Sequence, residues 1–172
     1  MEQLVEGNVN SPVKVTIYED LQCGDCLSLR TLLDEKILPK YGTRVAFIHR
    51  DFPLPKHEWA RAAALAGRWV AEKDRVLGIR FRREILAEHV HLKTDIIEHW
   101  CRQFAIRNKL DADGIAAAIT DPRLIALVEQ DRQAGMSRGV TKTPTMFIAN
   151  QAFVEFIIYE EVARALDVEL GH

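Results

Sequence analysis

The chain has 172 residues, 48% hydrophobic and 28% charged, which is the composition of an ordinary globular protein. Its 23 basic and 25 acidic residues nearly cancel, so there is no basic field to attract nucleic acid or an anionic membrane surface. No apolar run approaches the roughly 18 residues that a membrane span requires. We therefore expect no nucleic-acid partner and no membrane span.

The N-terminal segment, residues 1–7, has neither the basic region nor the apolar region of a signal peptide. Two localisations fit this observation. The protein is either cytoplasmic, or periplasmic or otherwise extracytoplasmic with its export signal trimmed away. The sequence leaves both open.

A strand–helix–strand unit is predicted in the first third of the chain. Residues 13–18 alternate and are rich in β-branched side chains, which predicts a strand. Residues 27–37 have the spacing of an amphipathic helix, and residues 44–49 form a second strand candidate. Cys23 and Cys26 therefore lie at the junction between the first strand and the helix.

The middle of the chain, from about residue 57 to residue 137, is predicted to be helical, because its apolar residues recur at the spacing of one helix face. Asp95, with Glu98 three residues later, is expected to cap one of these helices. Asp111 and Asp121 are predicted to begin two further helices, the second with proline at its first position.

A strand pattern returns near the C-terminus. Residues 145–149 and 153–158 are predicted strands joined by a tight turn at Asn150–Gln151, and residues 160–170 close the chain as a short helix. The second strand contains the apolar run Phe156–Ile158, which we expect to pack in the core rather than to form an exposed binding strip. The predicted fold class is α/β, with a helical insertion between the sheet elements.

The spacing of Cys23 and Cys26 is typical of dithiol redox chemistry. Exchange requires a thiolate that attacks and a second thiol that resolves the mixed disulfide. The first cysteine of a pair at a helix N-terminus lies beside free N–H groups and the positive end of the helix dipole, which lowers its pKa. We therefore predict Cys23 as the nucleophile and Cys26 as the resolving thiol. Half of a zinc site or two inert thiols are the rival interpretations, and the metal one is disfavoured because no second such pair exists.

A proline stands at the start of a predicted strand in the segment Val140–Thr145. The simplest interpretation is that a strand tolerates proline at its first residue. A cis bond between Thr143 and Pro144 would instead present backbone groups beside the cysteines, and the presence of the pair favours this second interpretation.

Three segments together resemble the DsbA-like thiol–disulfide oxidoreductases of the thioredoxin superfamily. They are Asp20–Cys26, Arg50–Leu54 followed by His57 and an Ala-rich helix, and Gly139–Thr145. The last segment is similar to the family's Gly-Val-x-x-Thr-Pro-Thr sequence, which carries a cis-proline. The resemblance extends over nearly the whole chain.

The resemblance implies a thioredoxin-like domain formed by residues 1–56 and 138–172, with residues 57–137 as an inserted helical domain. It also implies dithiol–disulfide exchange with protein or peptide thiols, and a redox partner that recycles the cysteine pair. Extended substrate segments would lie in a groove beside the cis-proline. No cofactor and no metal are expected. The catalytic residues would be Cys23 and Cys26, and the substrate would contact Gly24, Asp25, Thr143 and Pro144.

Departures from the family pattern affect the expected redox strength. Strongly oxidising members carry histidine where this chain has Asp25, and a carboxylate there opposes formation of the Cys23 thiolate. We expect a higher Cys23 pKa, and a less oxidising disulfide, than in those members. Many relatives also bury an acidic residue at the position of Ile17. Glu19 and Asp20 are nearby and are expected to be solvated, so a proton relay would use water or one of these two.

Several other residues receive simpler interpretations. Cys101 shares an apolar helix face and is expected to be buried and inert. His57 is expected to mark a helix entry, and the other histidines, including His49 and His89, show no acid or base partner at useful spacing. The basic run at residues 80–83 is expected to be a solvated helix face.

The predicted function is protein thiol–disulfide exchange, with disulfide formation as the favoured direction. Reduction or isomerisation is the first alternative. A non-catalytic thioredoxin-like binding or metal-binding module is the second.

Overall fold

The computed structural model describes residues 4–171 of the chain. Its strands form one five-stranded sheet in the order β1-β3-β2-β4-β5. The strands are β1 (Leu4–Gly7), β2 (Lys14–Glu19), β3 (Ala46–Asp51), β4 (Thr145–Ile148) and β5 (Gln151–Val154).

Helices flank this sheet and fill the long interval between β3 and β4. The first helix is followed by a π-helical turn, Leu33–Ile37, before the chain resumes as a short α-helix. The helices are α1 (Gly24–Leu32), α2 (Leu38–Tyr41), α3 (Ala60–Lys73), α4 (Arg75–Glu88), α5 (Ile97–Arg107), α6 (Ala112–Ala118), α7 (Pro122–Ser137) and α8 (Tyr159–Glu169). The α/β fold with a helical insertion is confirmed.

The N-terminal caps of three helices show which of the predicted helix starts are correct. Asp111 accepts a hydrogen bond from the backbone amide of Asp113 at the start of α6, and Asp121 caps α7 with Pro122 at the first position, as predicted. The cap predicted at Asp95 is wrong, because α5 begins after Ile96 without a side-chain cap.

The sheet topology brings the two sequence motifs together. β2 pairs in parallel with β3 and antiparallel with β4, so Tyr18 near the end of β2 lies opposite Thr145 at the start of β4. Cys23, which follows β2, and Pro144, which precedes β4, therefore lie at the same edge of the sheet. The pairing joins parts of the chain that are more than 100 residues apart.

The hairpin that follows β4 differs from the prediction. Its turn lies at Ala149–Asn150, one residue earlier than predicted, and Ala149 adopts a positive φ of 49°. β5 ends at Val154, so residues 155–158 are not a strand. Glu155, with a φ of 57°, turns the chain away from the sheet.

Two large apolar clusters form most of the core. One packs the sheet against α8, the π-helical turn and α2, with Ile17, Phe47 and Leu166 fully buried. The other lies in the helical insertion and contains Cys23 and Cys26. The cysteine turn is therefore held by the helical insertion as well as by the sheet. The large side chains of this second cluster are Leu21, Trp59, Phe81, Trp100 and Phe104.

Candidate functional site

Cys23 is the residue at which the strand-side loop becomes a helix. Its backbone is extended, with φ −88° and ψ 125°, and the chain becomes helical from Gly24 onward. The Cys23 carbonyl accepts the first backbone bonds of α1, from the amides of Cys26 and Leu27. Cys23 is 8% exposed and Cys26 only 1%, so a substrate sulfur can approach only the first of the two.

The Cys23 sulfur lies beside the Thr143–Pro144 segment, whose peptide bond is cis, as predicted. In its thiol form the Cys23 sulfur donates to the Thr143 carbonyl oxygen at 3.4 Å. The Thr143 hydroxyl is buried and has no hydrogen-bond partner among residues 4–171. Both polar groups of Thr143 are thus directed to the surroundings of the reactive sulfur.

The pKa of Cys23 is lowered from its usual 9.0 to about 6. The largest cause is a hydrogen bond from the Cys26 thiol, which burial of Cys23 opposes. The Thr143 side chain and the backbone amides of Cys26 and Asp25 lower the pKa further. Free amides at a helix N-terminus stabilise an anion in this way.

Cys26 has the opposite character. Burial raises its pKa well above 9.0, and the neighbouring Cys23 sulfur and the charge of Glu19 raise it further. The Asp20 backbone amide donates to the Cys26 sulfur at 3.4 Å, which opposes this increase only partly. At neutral pH the reduced pair therefore holds a Cys23 thiolate next to a Cys26 thiol.

The dipeptide between the cysteines forms the solvent side of the turn. Gly24 is exposed and Asp25 is half-buried, whereas Thr143 and Pro144 on the other side of Cys23 are buried. Asp25 acts on Cys23 through its backbone amide, which lowers the Cys23 pKa. That the Cys23 pKa exceeds that of the strongest oxidants stays a prediction.

Asp20 is buried, which corrects the expectation that it is solvated. Its carboxylate accepts from the backbone amides of Gln22 and Leu54, both at 2.7 Å, and lies 2.8 Å from Nδ1 of His57. His57 therefore has an acidic partner, 37 residues away in the chain. These bonds hold the loop that leads into Cys23.

Glu19 is also buried, and the expectation of a solvated side chain is wrong for it as well. Its carboxylate bonds Nδ1 of His49, whose Nε2 lies 3.1 Å from a Glu6 oxygen. Burial raises the Glu19 pKa, but the charges of His49 and Arg82 outweigh this and lower it to about 2. Burial lowers the His49 pKa, but the two carboxylates outweigh it and raise the pKa overall. His49 thus has acidic partners on both sides, contrary to prediction.

The basic run on α4 is only partly solvated. Arg80 is exposed and pairs with Glu84, as expected of a helix surface. Arg82 is 3% exposed and donates twice to Asp51, at 2.8 and 2.7 Å. Arg83 is half-buried and pairs with carboxylates of other elements. The expectation of a solvated face is therefore wrong for Arg82, which is a buried ion-pair residue.

Cys101 is fully buried among apolar side chains, as predicted. Burial raises the pKa of its thiol to about 12, with a smaller contribution from the charge of Glu98. A thiol that stays protonated and inaccessible has no role in exchange.

The apolar run after β5 is exposed rather than packed. Phe156 is 83% exposed and Ile158 is 51% exposed, whereas Ile157 packs against the sheet core. The Glu155 amide donates to the Pro144 carbonyl at 2.9 Å, which places this strip beside the cis-proline. The expectation of core packing is therefore wrong for Phe156 and Ile158.

Among residues 4–171 no group of three or more His, Cys, Asp and Glu side chains is arranged to hold a metal ion. Within the same range no helix combines the length and apolarity needed to cross a membrane.

The family model described as Thioredoxin matches residues 1–168 of this chain. Among curated proteins, the chain is 30% identical over 146 residues to the Na(+)/H(+) antiporter NhaA 3 of Salinispora tropica. That match covers 84% of this chain and 21% of the antiporter, so the chain spans about a fifth of the length of that relative.

Solved structures share the fold. The thiol-disulfide exchange protein α-DsbA2 of Wolbachia pipientis has a TM-score of 0.81 at 23% identity, over 98% of this chain and 87% of that one. Oxidised BdbD of Bacillus subtilis has a TM-score of 0.81 at 20% identity, over 99% and 94% of the two chains. A thioredoxin-like oxidoreductase of Silicibacter pomeroyi has a TM-score of 0.78 at 19% identity, over 98% and 92%.

Proposed function

This chain belongs to the thioredoxin family, and we propose that it catalyses thiol–disulfide exchange with protein or peptide substrates through Cys23 and Cys26. The observation that carries the proposal is the asymmetry of the pair. Cys23, with a pKa of about 6, is partly exposed beside a cis-proline, and Cys26, with a raised pKa, is buried behind it.

The favoured direction is disulfide formation. A substrate thiolate attacks the Cys23 sulfur of the Cys23–Cys26 disulfide, and Cys26 leaves and takes up a proton. A second substrate thiolate then attacks the substrate sulfur, and Cys23 leaves as a thiolate. A low leaving-group pKa accelerates this step, and the Cys23 pKa of about 6 provides it. A redox partner must then reoxidise the pair.

The substrate would bind beside Thr143 and Pro144, where an extended segment can form backbone hydrogen bonds. Gly24 and Asp25 form the opposite side of this groove. The exposed Phe156 next to the cis-proline offers an apolar contact to a substrate side chain. Substrates with an apolar residue near the reacting cysteine would therefore be favoured.

The proton taken up by Cys26 would come by way of Glu19 and His49. Glu19 is preferred to Asp20 because its charge acts on Cys26 and its carboxylate is bonded to an imidazole, that of His49. The Asp20 carboxylate instead holds the loop through Gln22, Leu54 and His57. Glu19 and His49 would thus take the role of the acidic residue that many relatives bury at the position of Ile17. We place the reaction outside the cytoplasm, where disulfides persist.

The direct test is oxidation of a reduced dithiol peptide by the oxidised protein. Cys23→Ser should abolish oxidation. Cys26→Ser, which cannot form the protein disulfide, should also fail to oxidise the peptide, but its Cys23 thiolate should attack the oxidised disulfide form of the peptide and remain trapped as the mixed disulfide. Cys101→Ala is the matched control, because that thiol is fully buried and inaccessible to a substrate, and it should oxidise the peptide at the wild-type rate. Turnover retained by Cys23→Ser would refute the proposal. If the protein reduces insulin but oxidises no peptide, the proposed direction of exchange is wrong and the protein acts as a reductase.

A further inference from the structure

His89 follows α4 in the helical insertion, and its imidazole lies against the cysteine turn. A methyl group added at Gly24 would meet the Nε2 atom of His89 at 3.4 Å. The ring edge therefore lies beside the residue that immediately follows Cys23. No partner for His89 was apparent in the sequence, because 65 residues separate it from Gly24.

The other ring nitrogen fixes the orientation of this edge. Nδ1 of His89 lies 2.8 Å from the Leu86 carbonyl oxygen. A carbonyl only accepts hydrogen bonds, so Nδ1 carries a proton and Nε2 faces Gly24. In the neutral ring Nε2 is an acceptor, whereas in the protonated ring it is a charged donor. Only the protonated ring stabilises an anion on this side.

The surrounding charges include both signs. Asp25 lies on the α1 side of the contact, next to Gly24, and Glu88 precedes His89 and accepts from Trp100 Nε1 at 3.0 Å. The end of α4 also favours a cation, because the last carbonyls of a helix carry the negative end of its dipole. In the segment before α3, the Glu58 carboxylate accepts a hydrogen bond from the Thr94 hydroxyl.

We propose that protonated His89 is a positioning residue that stabilises the negative charge on the Cys23 sulfur as Cys23 leaves the mixed disulfide. The inference rests on the proposed exchange function. In that step the sulfur–sulfur bond between Cys23 and the substrate breaks, and its electron pair stays on the Cys23 sulfur. The attacking substrate thiolate supplies the electron pair of the new substrate disulfide. His89 keeps its proton throughout.

The His89 ring limits the space beside position 24. A methyl group there would be in ordinary van der Waals contact with Nε2, so a larger side chain directed the same way would displace the ring. The turn has a carboxylate at Asp25, before the second cysteine, and the imidazole on the other side of Gly24 comes from a different element of the fold. In its protonated form His89 would offset part of the charge of Asp25.

The test follows the ionisation of Cys23 in the reduced protein by its thiolate absorbance and its alkylation rate as functions of pH. His89→Gln keeps a polar side chain without the charge, and we expect a higher Cys23 pKa. The acid dissociation constant of the Cys23 thiol should fall by about two- to fivefold, the effect typical of a partly exposed ion pair. His89→Lys should restore most of the loss. His91→Gln is the matched control, because His91 is exposed two residues further along, and it should leave the profile unchanged.

An unchanged Cys23 profile in folded His89→Gln would overturn the inference, and so would an equal shift in His91→Gln. If His89→Gln does not fold, Gly24→Leu, which displaces the ring without changing α4, gives the second measurement. It should also raise the Cys23 pKa, and no change there would equally overturn the inference. Failure of the exchange function is a separate result, because it would appear as peptide oxidation that persists in Cys23→Ser.

Discussion

The stability of the reduced protein should depend on pH through Cys23. The perturbation is Cys23→Ser, which keeps the size and the helix-cap position of the residue but removes the ionisable thiol. The Cys23 pKa is lowered from 9.0 to about 6 in the folded protein. A group with a lowered pKa adds stability as pH rises through the folded value, and the gain is complete above the unfolded value. Reduced wild type should therefore become more stable than Cys23→Ser between pH 6 and pH 9.

The size of the effect follows from the two pKa values. Each unit of pKa difference corresponds to about 1.4 kcal/mol, so the three units between 9.0 and about 6 give a full gain of about 4 kcal/mol. At pH 7 only the first unit above the folded pKa contributes, and the gain is about 1.4 kcal/mol. These figures are upper values, because solvent at the accessible Cys23 sulfur screens part of the interaction.

The measurement is urea unfolding of both proteins with excess reductant at several pH values. The difference in the free energy of unfolding between the two proteins cancels the titrating groups that do not interact with Cys23, and the pKa of Cys26, which does interact with it, lies above the window. We expect this difference to grow by several kcal/mol across the window and to become independent of pH in acid. A difference that stays constant from pH 6 to pH 9 would refute the low Cys23 pKa and the charge asymmetry built on it.

Two further substitutions and one labelling experiment give measurable outcomes. Asp25→Asn should lower the Cys23 pKa by up to about half a unit and make the disulfide more oxidising, as read from thiolate titration and equilibration with glutathione; a higher pKa would contradict the expectation. Glu6 and Glu19 both have pKa values lowered to about 2, so they contribute stability above pH 4.5 that is lost as pH falls towards 2. Glu19→Gln should therefore lower the free energy of unfolding by about 3 kcal/mol at pH 7, and its stability should depend less on pH in acid. Cys101 should resist alkylation in the folded protein, and labelling before unfolding would show that it is not buried.

The fold could be predicted largely from local patterns. β2 and β3 follow from alternation, and Asp111 and Asp121 begin helices because each supplies an oxygen to a free backbone amide one turn into the helix. β1 was missed because Leu4–Gly7 is a four-residue edge strand that contains a glutamate. That strand depends on Glu6, whose charge is balanced by Arg30 at 2.8 Å.

The candidate site was predictable in its sulfur chemistry but not in its polar surroundings. Cys23 and Thr143 were found because each lies in a short motif with a known chemical use. Glu19 and Asp20 appear as loop charges in the sequence, and their burial is possible only because His49 and His57 lie 30 and 37 residues further along. The parallel pairing of β2 with β3 brings the first of these pairs together, and periodicity alone does not specify such a pairing.

The two sulfurs of the pair differ because different parts of the fold act on each of them. Cys23 receives backbone amides from its own helix turn and the Thr143 side chain from the far end of the chain, so it is stabilised as an anion. Burial and the negative charge of Glu19 both raise the pKa of Cys26, so it is stabilised as a neutral thiol. A thiolate on Cys26 would be opposed by both effects, so Cys26 must be reprotonated as soon as it leaves the disulfide. The four residues of the motif supply the two sulfurs, but the partners from the rest of the chain decide which one carries the charge.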